Sequence, residues 1–184
     1  ILSLEPGQKA ELAFAAGCGL GTLDAVRETL PDPASVRTTL ERTRAEWKKK
    51  TARGFFPLIP EGDFRNWLDT FFAYQIYQQS TGMVRGTYRG FRDVAQDVMG
   101  ISRYDGKAAR ALLLDLGTRM KTSGQCLRQW NTEGGANDER DFRDLPFWLI
   151  LALETYERYT GDSSIYTERV PYLDSPAGAR DSGQ

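Results

Sequence analysis

The chain has 184 residues, 40% of them hydrophobic and 27% charged, with 24 Lys+Arg against 25 Asp+Glu and a net charge of −1. That length and apolar content suit one ordinary domain with a buried core, while the charge balance argues against a nucleic-acid surface. No apolar run reaches the roughly 18 residues of a membrane span, and with no histidine the chain excludes His-based triads, His-ligated zinc and a histidine general base within these residues.

The first eighteen residues alternate apolar and polar positions through Leu2, Leu4, Ala10, Leu12 and Phe14, with a turn signal at Pro6-Gly7. The pattern predicts a hairpin-like pair of strands. Two strands alone are marginal in water, and almost everything downstream reads as helix. Residues 1–18 therefore read as the end of a sheet, and 19–52 as a helical linker. In that linker Thr22 caps a short helix from Leu23 to Thr29. Asp32 and Pro33 then open a second one, carrying Val36, Leu40 and Trp47 and closing on Lys48-Lys49-Lys50.

From residue 53 on, helices alternate with loops. One helix is predicted from about Glu61 to Ser80, apolar on more than one face through Phe64, Trp67, Leu68, Phe71, Phe72, Ile76 and Tyr77. Such a helix is buried between layers or faces a ligand cavity. A Gly-rich loop follows, then helices over Asp93–Met99 and Gly106–Met120, a polar stretch from Lys121 to Arg143, and a helix from Pro146 to Tyr159. Repeated helix–loop–helix units suggest a bundle or an α/α toroid. Cys18 and Cys126 are too far apart for a metal or redox spacing.

Two loops carry the chemistry. In the first, Arg85, Arg89 and Arg92 are interleaved with glycines and followed by Asp93, Gln96 and Asp97. Small residues let the backbone approach a ligand, and guanidinium forks with carboxylates hold sugar hydroxyls or phosphate oxygens. Asp93 equally suits a helix N-cap. The second loop, Gln129 to Trp148, is acidic and aromatic, with Glu133, Asp138, Glu139, Asp141 and Asp144 as candidate acids. Asp144 stands where an N-cap would be. Its neighbours Phe142, Leu145, Phe147 and Trp148 also offer an apolar setting, which raises a carboxyl pKa as glycosidic proton donation requires.

These two loops resemble glycoside hydrolase family 94, the cellobiose- and chitobiose-type phosphorylases. Gly90-Phe-Arg-Asp-Val-Ala-Gln-Asp is similar to its Arg-Asp-x-x-Gln-Asp block. Arg143-Asp-Leu-Pro-Phe-Trp-Leu, with Glu154-Thr-Tyr-Glu-Arg-Tyr-Thr-Gly-Asp, is similar to its catalytic-acid segment and next helix. Relatives acting on β-1,3- and β-1,2-glucans share this layout. The resemblance implies a mainly α chain: the last strands of a β-sandwich (1–18), a helical linker (19–52) and the first part of an (α/α)6 catalytic barrel (53–184), in all a fragment of a larger protein.

It further implies that Asp144 is the general acid. Arg92, Asp93 and Asp97 would hold the sugar, and Arg85 or Arg89 would supply an upstream arginine. Phe142 stands where the family often has Trp, and Leu145 where it often has a second Asp. The implied reaction is inverting phosphorolysis of a β-linked gluco-oligosaccharide to α-glucose 1-phosphate and a shortened acceptor. Inorganic phosphate is the co-substrate, with no metal or organic cofactor, in a cytoplasmic homodimer bound to neither nucleic acid nor membrane. A hydrolase on the same toroid would need a second carboxylate to activate water, such as Glu133 or Asp138. A non-catalytic carbohydrate-binding module is the third possibility.

Overall fold

The structure, a computed structural model, describes residues 3–14, 32–51, 58–81 and 86–175. The predicted helix at Leu23–Thr29, Cys18 and Arg85 lie outside the described residues. The chain divides into two compact units, Ile1–Lys49 and Lys50–Gln184.

In the first unit, residues 3–14 form no strand. The Pro6-Gly7 turn is present, closed by a Gln8 N–H that donates to the Glu5 carbonyl at 2.9 Å, but Leu4, Leu12 and Phe14 stay exposed. Alternation alone does not make a strand where no neighbouring strand takes up its backbone groups. Helix α1, Pro33–Thr51, starts as predicted. Asp32 Oδ1 accepts from the backbone N–H groups of Ala34 (2.8 Å) and Ser35 (3.0 Å), which satisfies two of the helix's orphan donors.

The second unit opens with α2 (Asp63–Trp67), a π-helical turn (Leu68–Phe72) and α3 (Ala73–Thr81), where periodicity predicts one uninterrupted helix. The wider turn shifts the phase of the side chains that follow. Phe64, Trp67, Phe71 and Phe72 stack along the exposed side, with Phe64 and Trp67 ring centroids 6.2 Å apart, instead of being buried between layers. Burial begins only at Ala73 and Tyr77.

Helix α4 (Phe91–Ile101) is the hub. Phe91, Val94, Ala95, Val98 and Ile101 recur at helical spacing and are all buried. Through them α4 packs against α3, α5 (Gly106–Gly117) and α6 (Leu145–Thr160). Each fully buried side chain of the size of Phe91, Ile101 or Leu116 is worth about 1.5–3 kcal/mol in removed apolar surface. Asp105 caps α5 by accepting from the Ala108 N–H at 3.0 Å. Helix α6 carries Pro146 in its first turn and stops at Gly161, whose φ of 70° favours glycine.

Two short strands, β1 (Tyr88–Gly90) and β2 (Gln129–Asn131), pair antiparallel with Arg89 opposite Trp130 and Gly90 opposite Gln129. They lie in stretches that read as a Gly-rich loop and a polar connection. The pairing brings the two loops of interest together at the N-terminus of α4.

Candidate active site

The site is built where β1 runs into α4. Gly90 holds the N-cap position and makes no side-chain cap, and the Phe91 N–H donates to the Arg128 carbonyl at 3.1 Å. Arg92 and Asp93 thus fall in the first turn of a helix whose inner face is buried. A β-carbon at position 90 would lie 2.5 Å from Asp93 Oδ2, so the Asp93 carboxylate rests over a place only glycine leaves open. Gly90, Arg92, Asp93, Arg128, Gln129, Phe142 and Leu145 wall a pocket of about 130 Å³.

At the start of α6, Asp144 occupies the N-cap position, yet its side chain caps nothing. Its Oδ2 instead accepts from Arg92 Nη2 at 2.6 Å and from the Trp148 indole N–H at 3.0 Å, and the Arg92 guanidinium lies 5.7 Å from the Trp148 ring centroid. Both donors favour the ionised form. The Trp148 N–H first, and Arg92 with it, hold the Asp144 carboxyl below the ordinary carboxylate value. The aromatic neighbours were expected to raise that value. Trp148 lowers it because it presents its N–H edge, and Asp144 keeps about half of its side-chain surface in solvent.

The far wall is a second charged cluster. Arg128 Nη1 donates to Asp138 Oδ2 at 2.6 Å and to Gln129 Oε1 at 2.9 Å, and its guanidinium lies 5.1 Å from the Phe142 centroid. Arg140 forks onto both Asp138 oxygens (3.0 Å from Nε to Oδ1, 2.7 Å from Nη2 to Oδ2) and approaches the same ring at 6.0 Å. Arg140, and with it Arg128, holds the Asp138 carboxyl far below the ordinary range. Arg128 and Asp138 are also paired through the main chain, the Arg128 N–H donating to the Asp138 carbonyl at 3.0 Å.

Of the predicted site residues, Arg92, Asp93, Phe142 and Asp144 gather here. Arg89 does not. Successive strand residues face opposite sides, and Arg89 lines a larger cleft of about 670 Å³ with Asp115, Arg119 and Trp130. Asp97, one turn below Asp93, is buried at 6% exposure on α4 and does not line the small pocket. Arg128 and Gln129 were not foreseen, since their place depends on a strand pairing with residues some forty positions earlier. Among the described residues no group of three His, Cys, Asp or Glu side chains is placed to hold a metal ion, and no helix is long and apolar enough to cross a membrane.

Residues 70–180, more than half of the chain and all of this pocket, match the family described as the glycosyl hydrolase 94 superfamily, catalytic domain. The chain belongs to that superfamily. Its resemblance through the Arg92-Asp93 block is thereby established at the level of the family. Among relatives, a solabiose phosphorylase of Paenibacillus borealis is 32% identical over 94 residues, 51% of this chain and 12% of that protein. A 3-O-β-D-glucopyranosyl-β-D-glucuronide phosphorylase of the same organism is 24% identical over 185 residues, 97% of this chain and 24% of the relative. A cyclic β-(1,2)-glucan synthase of Rhizobium meliloti is 27% identical over 184 residues, 96% of this chain and 6% of that protein. The chain therefore spans at most about a quarter of the length of these relatives.

Proposed function

We propose that the chain forms the sugar-holding part of a glycoside phosphorylase acting on a β-linked gluco-oligosaccharide. Inorganic phosphate attacks the anomeric carbon from the face opposite the scissile bond as the glycosidic C–O bond breaks. The leaving oxygen takes a proton, and the products are α-glucose 1-phosphate and a shortened acceptor. Because phosphate is already an anion, no second carboxylate is needed to activate a nucleophile, in contrast with inverting hydrolysis, and neither a metal nor an organic cofactor is required. On this proposal residues from 53 on belong to the first part of an (α/α)6 barrel, residues 1–18 to the end of a β-sandwich, and the whole enzyme is a cytoplasmic homodimer.

The observation that carries the proposal is the Arg92–Asp144 pair beside Asp93 at the edge of the small pocket. A guanidinium and a carboxylate on adjacent residues offer donor and acceptor together, which is what neighbouring ring hydroxyls demand. The phosphorylase names of two relatives support the reaction class. Hydrolysis is less well supported. Asp138, a candidate for the second carboxylate, is clamped by Arg128 and Arg140, and a base so neutralised activates water poorly.

Two roles are open to Asp144. As proton donor it needs the substrate to draw Arg92 away, because with Arg92 and Trp148 attached the carboxyl stays ionised at neutral pH. As an anchor it needs nothing more: it holds Arg92 against the sugar, and the proton comes from another carboxyl of the whole enzyme. We favour the anchor, since both of its hydrogen bonds are already formed.

The test is to incubate the full-length protein with α-glucose 1-phosphate and a panel of β-linked glucose acceptors and to follow phosphate release. Release supports phosphorolysis, and the best acceptor names the linkage. Silence with every acceptor favours a hydrolase or a binding module.

A further inference from the structure

We propose that Arg128 is a specificity-determining residue of this pocket, donating to a hydroxyl of the same sugar ring that Arg92 and Asp93 hold; this rests on the phosphorylase role proposed above. Arg128 stands just before β2, whose first residue Gln129 pairs with Gly90, and it lines the pocket together with Arg92 and Asp93.

Three features separate it from a residue that only holds the loop. First, one edge of its guanidinium is committed and the other is not. Nη1 serves Asp138 and Gln129, whereas Nε and Nη2 have no hydrogen-bond partner among the described residues. Arg92 Nε, on the facing wall, is likewise buried without a partner among them. A pocket with unspent arginine donors on two walls is built for an acceptor-rich ligand.

Second, the free edge is held in place. Asp138 grips one end, the Phe142 ring lies against the guanidinium plane at 5.1 Å, and the Arg128 carbonyl takes the N–H of Phe91, the residue before Arg92. The two arginines are thus in register through the main chain, and a donor fixed before binding loses little entropy on capture.

Third, the charges cancel. Arg92, Arg128 and Arg140 stand against Asp93, Asp138 and Asp144, with Asp144 paired to Arg92 and Asp138 paired to Arg128 and Arg140. A site with no excess charge but many oriented donors suits a neutral polyol rather than an anion. Asp93 supplies the acceptor that a hydroxyl also needs.

The experiment compares the full-length wild type with Arg128→Gln and Arg128→Lys, measuring phosphate release from α-glucose 1-phosphate and from its 2-, 3-, 4- and 6-deoxy analogues. The intrinsic effect of each deoxygenation cancels between proteins. In the wild type, loss of the hydroxyl that meets Arg128 costs about 10- to 100-fold in kcat/KM, as for a hydrogen bond to a charged group. In both variants that single penalty disappears while the penalties at the other positions remain. The lysine variant keeps the charge beside Asp138 but not the fork, so it separates recognition from support of the loop. If all penalties persist unchanged in both variants, Arg128 only holds the loop and the proposal is overturned. A wild type that releases no phosphate with any acceptor removes the phosphorylase role itself, and Arg128's part in it, a result distinct from unchanged penalties in an active enzyme.

Discussion

Arg92 and Asp144, fifty-two residues apart, meet at 2.6 Å, and the contact joins the first turn of α4 to the start of α6. It places the guanidinium at the rim of the pocket and leaves the Asp144 carboxylate without the capping task its position suggests. Replacing Arg92 by Ala removes a donor from the pocket wall and leaves the Trp148 N–H as Asp144's remaining partner. Sugar turnover is expected to fall by about 100-fold or more, the scale of a misplaced or missing positioning group. Thermal stability should change little, since exposed ion pairs contribute little to it. The check is kcat/KM beside a melting curve.

Gly90 is the second lever. Its φ of −96° suits any residue, so Gly90→Ala should fold. The added methyl would occupy the space of Asp93 Oδ2, 2.5 Å away, and force that carboxylate to swing. Expected is a rise in KM for the sugar with an almost unchanged melting temperature. An unchanged KM would show that Asp93 does not touch substrate.

The pH dependence has a definite sign. Asp138 and Asp144 are both held below the ordinary carboxylate value of 3.8. A carboxyl whose folded-state pKa is lowered adds stability that is fully present above its unfolded value and is lost as pH falls through the folded one. The difference in melting temperature between wild type and Asp138→Asn should therefore be flat between about pH 5 and 8, and shrink as the medium is acidified below about pH 4. A difference that grows on acidification would contradict the ion-pair assignment.

Cys126 is buried, at 2% exposure, and burial pushes its thiol up to about 11. With thiolate scarce and access closed, native protein at neutral pH should leave Cys126 unmodified by iodoacetamide. Denatured protein should be labelled there, and peptide mass spectrometry reads both outcomes.

Helices were the legible part of the fold. Asp32 and Pro33 mark the start of α1, and the apolar spacing of Ala109, Leu113 and Leu116 marks the buried face of α5. The strands β1 and β2 were not legible, because three residues carry no alternation and each finds its partner some forty residues away. The π turn at Leu68–Phe72 has no local signature either, and Phe64 and Trp67, just before it, stay exposed where periodicity would bury them. At the site, Arg92, Asp93 and Asp144 stood out as a motif. That Asp144 binds Arg92 rather than capping α6, that Arg89 faces another cleft, and that Arg128 enters the pocket all depend on tertiary contacts.

The role of Asp144 as the anchor of Arg92 is tested most directly by comparing wild type and Asp144→Asn on aryl β-glucosides of graded leaving-group acidity, with inorganic phosphate, in the full-length protein. An anchor acts whatever leaves, so the variant should lose about 100-fold in kcat/KM for poor and good leaving groups alike. Recovery of near wild-type rates on the most acidic phenol would contradict the anchor and make Asp144 the proton donor, because such a leaving group departs without one.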